Sequence, residues 1–588
     1  MARVSYRTSR LLWQYGLLGV CLVVLAVFLL LPIALTVRGG FVETGDNGET
    51  GYTLKHFALV LADPLHREGL ANAFMIAVWT TLLSIVVSLP LAVLSARYAL
   101  PLKRFWNAVI LVPLILPPFV GAIGMRAVLG REGMVNSLFG TDFDVLGQGR
   151  VIGVIIVEAL HLYPIIYLNA VAALSNLDPA LDEAAENLGA GPVRRFFRIT
   201  LPLIRPGLFA GATIVFIWSF TELGTPLMFE YNRVTPVQIF LGLKEIEASA
   251  EPYALTALLL AAAVAIYIVG KVVFGRRGHA MYSKASRSAS EKPLPLWGAA
   301  VGTVLFAGVT LAAVLPHIGV VLTGITAPGQ WYGTVFPTML TGDHVETALS
   351  DPVAAGSIRN SLILSIAAML FNVVAGVVVA YLVVRTRIRG RNLLDALCML
   401  PLAVPGLVMA FGYFAMTLSG PLPWIASKLE GAGLDGLSRY FQVVGTDPNP
   451  FVILAVAYAV RRLPYIVRSA SAGLEQTSSE LEEAAVNLGA SRLKAIRKVV
   501  LPLVLANVIA GGLLVFSFSM LEVSDSLILA QQSKHYPITK AIYEFWNRLG
   551  DGAHVASAMG IWGMALLAVT LVGASVLMGK KLGSIFRA

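Results

Sequence analysis

A handful of ionisable side chains stand in the most apolar stretches of this sequence: Glu158, His161, Glu222, Arg461, Arg462, Glu522 and Asp525. Charge in an apolar medium costs several kcal/mol, about 3 on insertion scales, so each is a functional candidate by default. Glu222 lies in Ser-Phe-Thr-Glu-Leu-Gly and Glu522 in Ser-Met-Leu-Glu-Val-Ser. Carboxylates there would favour a passing cation, or else close a helix end against backbone and water. Arg461 and Arg462 leave two readings open, capture of an anionic group or neutralisation of Glu522 and Asp525. Glu158 and His161 are weaker candidates, a lone histidine being more often a hydrogen-bonded packing residue. Constellations that make or break covalent bonds are missing. The chain has no His-Glu-x-x-His, no Gly-x-Ser-x-Gly and no histidine pair at metal spacing. Gly270-Lys-Val-Val and Gly579-Lys-Lys-Leu lack the spacing of a nucleotide-binding Gly-x-x-x-x-Gly-Lys-Ser/Thr loop. Cys21 and Cys398, the two cysteines, sit in apolar runs, which excludes a disulfide framework or a cysteine-rich metal site.

The elements that hold these residues are set by composition. Of 588 residues, 57% are hydrophobic and 13% charged, against about 25% charged in soluble proteins, so lipid is the solvent for most of the chain. About 20 apolar residues cross a bilayer, and spans are expected near 12–37, 72–97, 105–130, 151–175, 203–228, 253–275, 296–323, 358–384, 392–418, 451–473, 503–530 and 554–579. The first follows Arg3, Arg7 and Arg10 as a signal peptide would, but its apolar run is too long and no small-x-small cleavage site follows, so it reads as an uncleaved anchor. The net charge of +10 is a topology signal rather than a nucleic-acid footprint. Most Lys and Arg fall in clusters on one side, among them Arg194/Arg195/Arg198, Arg385/Arg387/Arg389/Arg391 and Arg497/Lys498. Excess Lys and Arg mark the cytoplasmic face, which puts both termini inside.

The chain is a tandem duplication. Asn72, Ala92, Arg97, Pro113 and Pro117 match Asn360, Ala380, Arg385, Pro401 and Pro405 at an offset of 288. Pro164, Glu183, Gly189, Pro202 and Glu222 match Pro464, Glu483, Gly489, Pro502 and Glu522 at an offset of 300. One insertion of 12 residues, in the outer loop around 419–449, explains the change. The expected organisation is a first repeat over 1–275, a polar, Ser-rich, basic linker over 276–294 and a second repeat over 295–588. Six spans per repeat make the halves parallel, with a solute path expected between them. Pro113, Pro117, Pro401 and Pro405 interrupt the third span of each half, and proline kinks a helix.

The most informative segments are the loops at 177–202 and 475–502, each between the fourth and fifth span of its half. One carries Glu183-Ala184-Ala185 with Gly189, the other Glu483-Ala484-Ala485 with Gly489, and both end in Leu-Pro. Apolar residues at helical spacing predict a short amphipathic helix. Gly189 and Gly489 end it, a second basic helix follows, and Leu-Pro leads back into the membrane.

This pattern resembles the signature loop of permeases of binding-protein-dependent ABC importers, and nearly the whole chain shares the resemblance. The fold it implies is an all-α integral membrane protein of about 12 helices in two parallel six-helix repeats, as in type I importer permeases, in the bacterial inner membrane. The fused halves and the Leu-Pro-x-x-x-Pro of the third span most resemble the ferric-iron permease branch, whose relatives carry thiamine, phosphonates or polyamines. The resemblance implies that the two loops dock into two copies of a cytoplasmic ATPase and that a periplasmic binding protein delivers the solute. ATP and Mg would then reside on the partner subunits, with no cofactor in this chain. An ion-gradient-driven transporter is the rival expectation, and it leaves the twin loops without a role.

Overall fold

The computed structural model describes residues 2–44, 50–115, 117–144, 147, 149–243, 249–274, 292–445 and 447–578. Most, 80%, are helical, because an apolar medium leaves a backbone no partner but itself. Nine described helices are long and apolar enough to cross a membrane, or eleven if two bent pairs each count as a span. Phe451–Glu475 is comparably long but carries Arg461, Arg462 and Arg468. It occupies the register, offset by 300, of the apolar Arg150–Ser175 helix. Most of the expected linker lies outside the described residues.

The bent pairs are the third spans, and they correct one expectation. In place of a kink, Lys103–Leu114 meets Pro118–Phe139 at 96° and Arg391–Ala403 meets Gly406–Ser419 at 103°. Pro401 stays inside its helix, and Pro113 sits in the 3-10 turn Val112–Ile115. The chain turns instead at Pro117 and Pro405. Val404, ahead of Pro405, is extended (φ −87°, ψ 129°), as crowding by the proline ring requires. The 12-residue insertion enlarges the loop that holds the helix Pro421–Gly431, where the first half has Met134–Phe139.

Two compact units form, and they cut across the sequence halves. One holds residues 64–238 and 259–342. In it, Arg150–Ser175 packs on Pro64–Arg97 and on Leu201–Phe220. Against Pro118–Leu129 lies Leu296–Gly324, the leading helix of the second half. The other unit holds 1–63, 239–258 and 343–585. Phe451–Glu475 there packs on Pro352–Arg385 and Leu501–Met520, and the leading helix of the first half packs on Gly406–Ser419. The packing therefore does not follow the expected boundaries at 275 and 295.

Both exchanged contacts rest on a glycine at the same repeat register. A Cβ on Gly124 would lie 2.0 Å from the Pro316 carbonyl oxygen, and one on Gly412 would lie 2.6 Å from that of Pro32. The next residue, Tyr413, donates its hydroxyl to the Phe28 carbonyl at 2.5 Å. Pro32, four residues on, has no N–H to satisfy that carbonyl. Backbone atoms cannot yield as a side chain would, so Gly124→Val and Gly412→Val should each destabilise the protein by about 1–3 kcal/mol. A lowered thermal midpoint in detergent would show it, and an unchanged midpoint would refute the packing role.

Candidate coupling loops and membrane charge cluster

The two loops form helix–glycine–helix knobs of one design. The first helices are Pro179–Asn187 and Ser479–Asn487, opened by Asp178 and Ser478, whose side chains accept the N–H of Ala180 and Glu480. Side-chain caps of this kind satisfy otherwise orphaned donors. Each helix ends on a left-handed glycine, Gly189 at φ +77° and Gly489 at φ +90°. The Ala190 and Ala490 N–H groups reach back to the Ala185 and Ala485 carbonyls at 3.0 Å, which closes the helix end sharply. Glu183, Glu483, Ala184 and Ala484 are exposed, whereas Ala185 is buried and Ala485 half-buried. At the tips, Leu188 is 88% and Leu488 89% exposed. Each knob thus offers solvent a leucine, an alanine and a free-standing acid edge on a rigid frame.

What fixes the knobs was not among the expected site residues. Asp182 and Glu482, one position before the Glu-Ala-Ala segments, turn inward. Asp182 lies 3.5 Å from Arg97, 3.8 Å from Arg195 and 3.6 Å from Lys292. Arg195 also pairs with Glu186 and, hydrogen bonding first and charge second, holds that carboxyl below its ordinary range. Lys292 reaches Glu186 at 3.4 Å and its backbone pairs with Tyr98, so the linker's far end is strapped to this loop. In the second half Tyr381 donates to Glu482 at 2.8 Å. Arg385, the counterpart of Arg97, donates to the Leu474 and Thr477 carbonyls. The available signal was an acid at both 182 and 482, and an arginine at both 97 and 385.

The charged residues at membrane depth divide by half. In the second, Arg461, Arg462, Glu522 and Asp525 come together. Arg461 donates to Glu522 at 2.5 Å and lies 3.5 Å from Asp525, and Arg462 pairs with Glu522 and donates to the Phe518 carbonyl at 3.1 Å. Glu522 is 3% exposed and Asp525 fully buried. A Cβ on Gly406 would overlap the Arg461 guanidinium, so that group fills the notch of the broken third span. Glu222 has no arginine at the matching place. Its Oε1 accepts the Gly224 and Thr225 N–H groups at 3.1 and 3.3 Å, closing the short helix Gly224–Met228. Glu158 is buried and accepts from Ser219 and Thr80. His161, at the register of Arg461, donates Nδ1 to the Pro113 carbonyl at 2.8 Å. Both halves thus send the residue at this register to the third-span break.

A duplicated chain of apolar helices with broken third spans and paired helix–glycine–helix loops has the build of a membrane permease. The family model for the binding-protein-dependent transport system inner membrane component matches residues 88–279 and again 372–579, and the chain belongs to that family. It is 26% identical over 87% of its length to the putative ferric transport system permease protein FbpB 1 of Haemophilus influenzae, covering 77% of that protein. The ferric transport system permease protein FbpB of Actinobacillus pleuropneumoniae is 26% identical over 88% of this chain and 72% of its own. The molybdenum transport system permease protein ModB of Escherichia coli is 30% identical over 30% of this chain and 76% of its own.

The buried cluster yields a test. Removing one member of a buried ion pair leaves an uncompensated charge and costs about 3–5 kcal/mol. Arg461→Met should lower stability by that order, and adding Asp525→Asn, which leaves Arg462 paired with Glu522, should recover most of it. Thermal unfolding of the single and combined variants in detergent measures the difference, and additive losses would contradict the pairing.

Proposed function

We propose that this permease carries ferric iron from the periplasm to the cytoplasm by alternating access, driven by two copies of a separate ATPase that grip the two knobs. The observation that carries this reading is the pair of exposed leucine tips on stiff, twice-repeated frames. A single exposed leucine is ordinary, but the same leucine at the tip of two repeated, capped frames supports a shared contact surface, and the basic residues beside each knob favour the cytoplasmic side for it. Closure of the ATPase dimer would draw the knobs together, and the binding protein would dock at the opposite face. A gradient-driven transporter would have no use for the tips.

Iron is favoured over the other solutes by the names of the relatives that cover most of the chain. Arg461 and Arg462 are engaged by Glu522 and Asp525, which supports a neutralising role over capture of an anion such as phosphonate. Thiamine and polyamine are the alternative solutes. Reconstitution with the cognate ATPase and binding protein should show ATP hydrolysis stimulated by ferric-loaded binding protein. Stimulation by another ligand alone would replace the iron assignment.

The coupling role has its own test. Gly189 and Gly489 have open space around them, but a left-handed backbone costs other residues about 1–2 kcal/mol. Gly189→Trp and Gly489→Trp should insert normally yet lose ATPase binding or transport. Normal transport by either variant would remove that loop from the coupling machinery.

A further inference from the structure

The second helix of each knob does not stop at the membrane. Pro192 to Phe220 is one continuous helix of 29 residues, so a rod joins the first knob to the fifth span. A single π-turn interrupts it at Phe196–Thr200, where the Leu201 N–H bonds the Phe196 carbonyl. The second half repeats this at Ile496–Val500, with Leu501 bonding Ile496. The two turns share the repeat offset of 300 and a burial pattern. Positions 197, 198, 497 and 498 are exposed, while Thr200 and Val500 are buried. Arg97 donates to the Thr200 hydroxyl at 2.7 Å, which fixes the upper edge of the first turn.

Proline alone does not account for these turns. Pro202 and Pro502 follow them, but Pro90, Pro164 and Pro464 sit in helices that stay α throughout. A third π-turn, Ala26–Leu30, lies ahead of Pro32, and it is held in place, since Tyr413 bonds its Phe28 carbonyl and Pro32 packs on Gly412. The knob turns are packed at Thr200 and Val500 and exposed at positions 197, 198, 497 and 498. A π-turn is an α-helix with one residue too many, and such turns recur at functional sites.

We infer that the paired π-turns are the hinges of coupling, and that the residues within them position the knobs. Each turn holds one residue of slack between a docked knob and a packed span. When the bulge moves along the rod, the residues it sweeps rotate by about 100° and advance about 1.5 Å, one residue's worth of helix. The knob then follows the ATPase while the span above Thr200 or Val500 keeps its packing. This rests on the proposal that the knobs bind the ATPase.

Deleting Ile199 and Val499 tests the hinge, because removing the surplus residue restores an α-helix with both flanks in register. The full chain, reconstituted in proteoliposomes with its ATPase and binding protein, should still assemble, while solute moved per ATP falls about tenfold. In the undeleted chain, Phe197→Cys should change its labelling rate by a water-soluble maleimide when the ATPase is locked with a non-hydrolysable ATP analogue. An unchanged transport ratio, failure to assemble, or labelling indifferent to nucleotide would each overturn the hinge. Those outcomes leave the docking proposal standing, which falls only if the Gly189 and Gly489 variants bind ATPase and transport normally.

Discussion

The broken spans of this protein answer to one constraint, that a polar group in lipid is costly unless it finds its partner within the protein. An unpaired peptide group costs several kcal/mol there, so a helix can break only where another group stands ready. The two third-span breaks meet this demand differently. His161 bonds the Pro113 carbonyl, whereas Arg461 fills the notch beside Gly406. The turns after the fifth spans meet it locally, through the Glu222 carboxylate in one half and through Ser526 and Thr539 on the Glu522 carbonyl in the other. One architecture is thus drawn twice with different polar residues, and the second half carries its arginines because it also carries two buried acids.

The knobs obey the same rule from the water side. Their backbone ends are closed by caps and by the left-handed glycines, so what remains outward is a leucine tip, an alanine and the Glu183 or Glu483 carboxylate. Inward ties through Asp182 and Glu482 keep the frame seated without engaging Glu183 or Glu483. The first knob has an extra strap in Lys292, which makes the two knobs unequal despite their common sequence.

Much of this was legible in the sequence. Span positions followed from apolar length, and the duplication from two constant offsets. The knob helices and their glycine stops followed from local helix chemistry. Local chemistry could not show that Pro117 and Pro405, rather than Pro113 and Pro401, carry the breaks, because all four have the same ring. Nor could it show the pairing of Arg461 and Arg462 with Glu522 and Asp525, which are 60 or more residues away, as the open choice between anion capture and neutralisation reflects. Asp182 and Glu482 escaped notice because a surface acid beside a signature looks like part of a solvated face. The π-turns leave no trace in composition, since the prolines beside them occur equally in unbroken helices.

The exchange of leading helices has a consequence for biosynthesis. Gly412, the seat for Pro32, is translated about 380 residues later, roughly 20–75 s at ordinary synthesis rates. Throughout that interval the first helix dwells in lipid without its Gly412 seat, its packing confined to partners made earlier, such as Tyr253 and Ala254 against Gly39 and Gly40. Gly124 likewise waits about 190 residues for Pro316. Assembly therefore finishes only when the last core helices arrive, and a truncated chain would leave open both the seat and the helix meant to fill it.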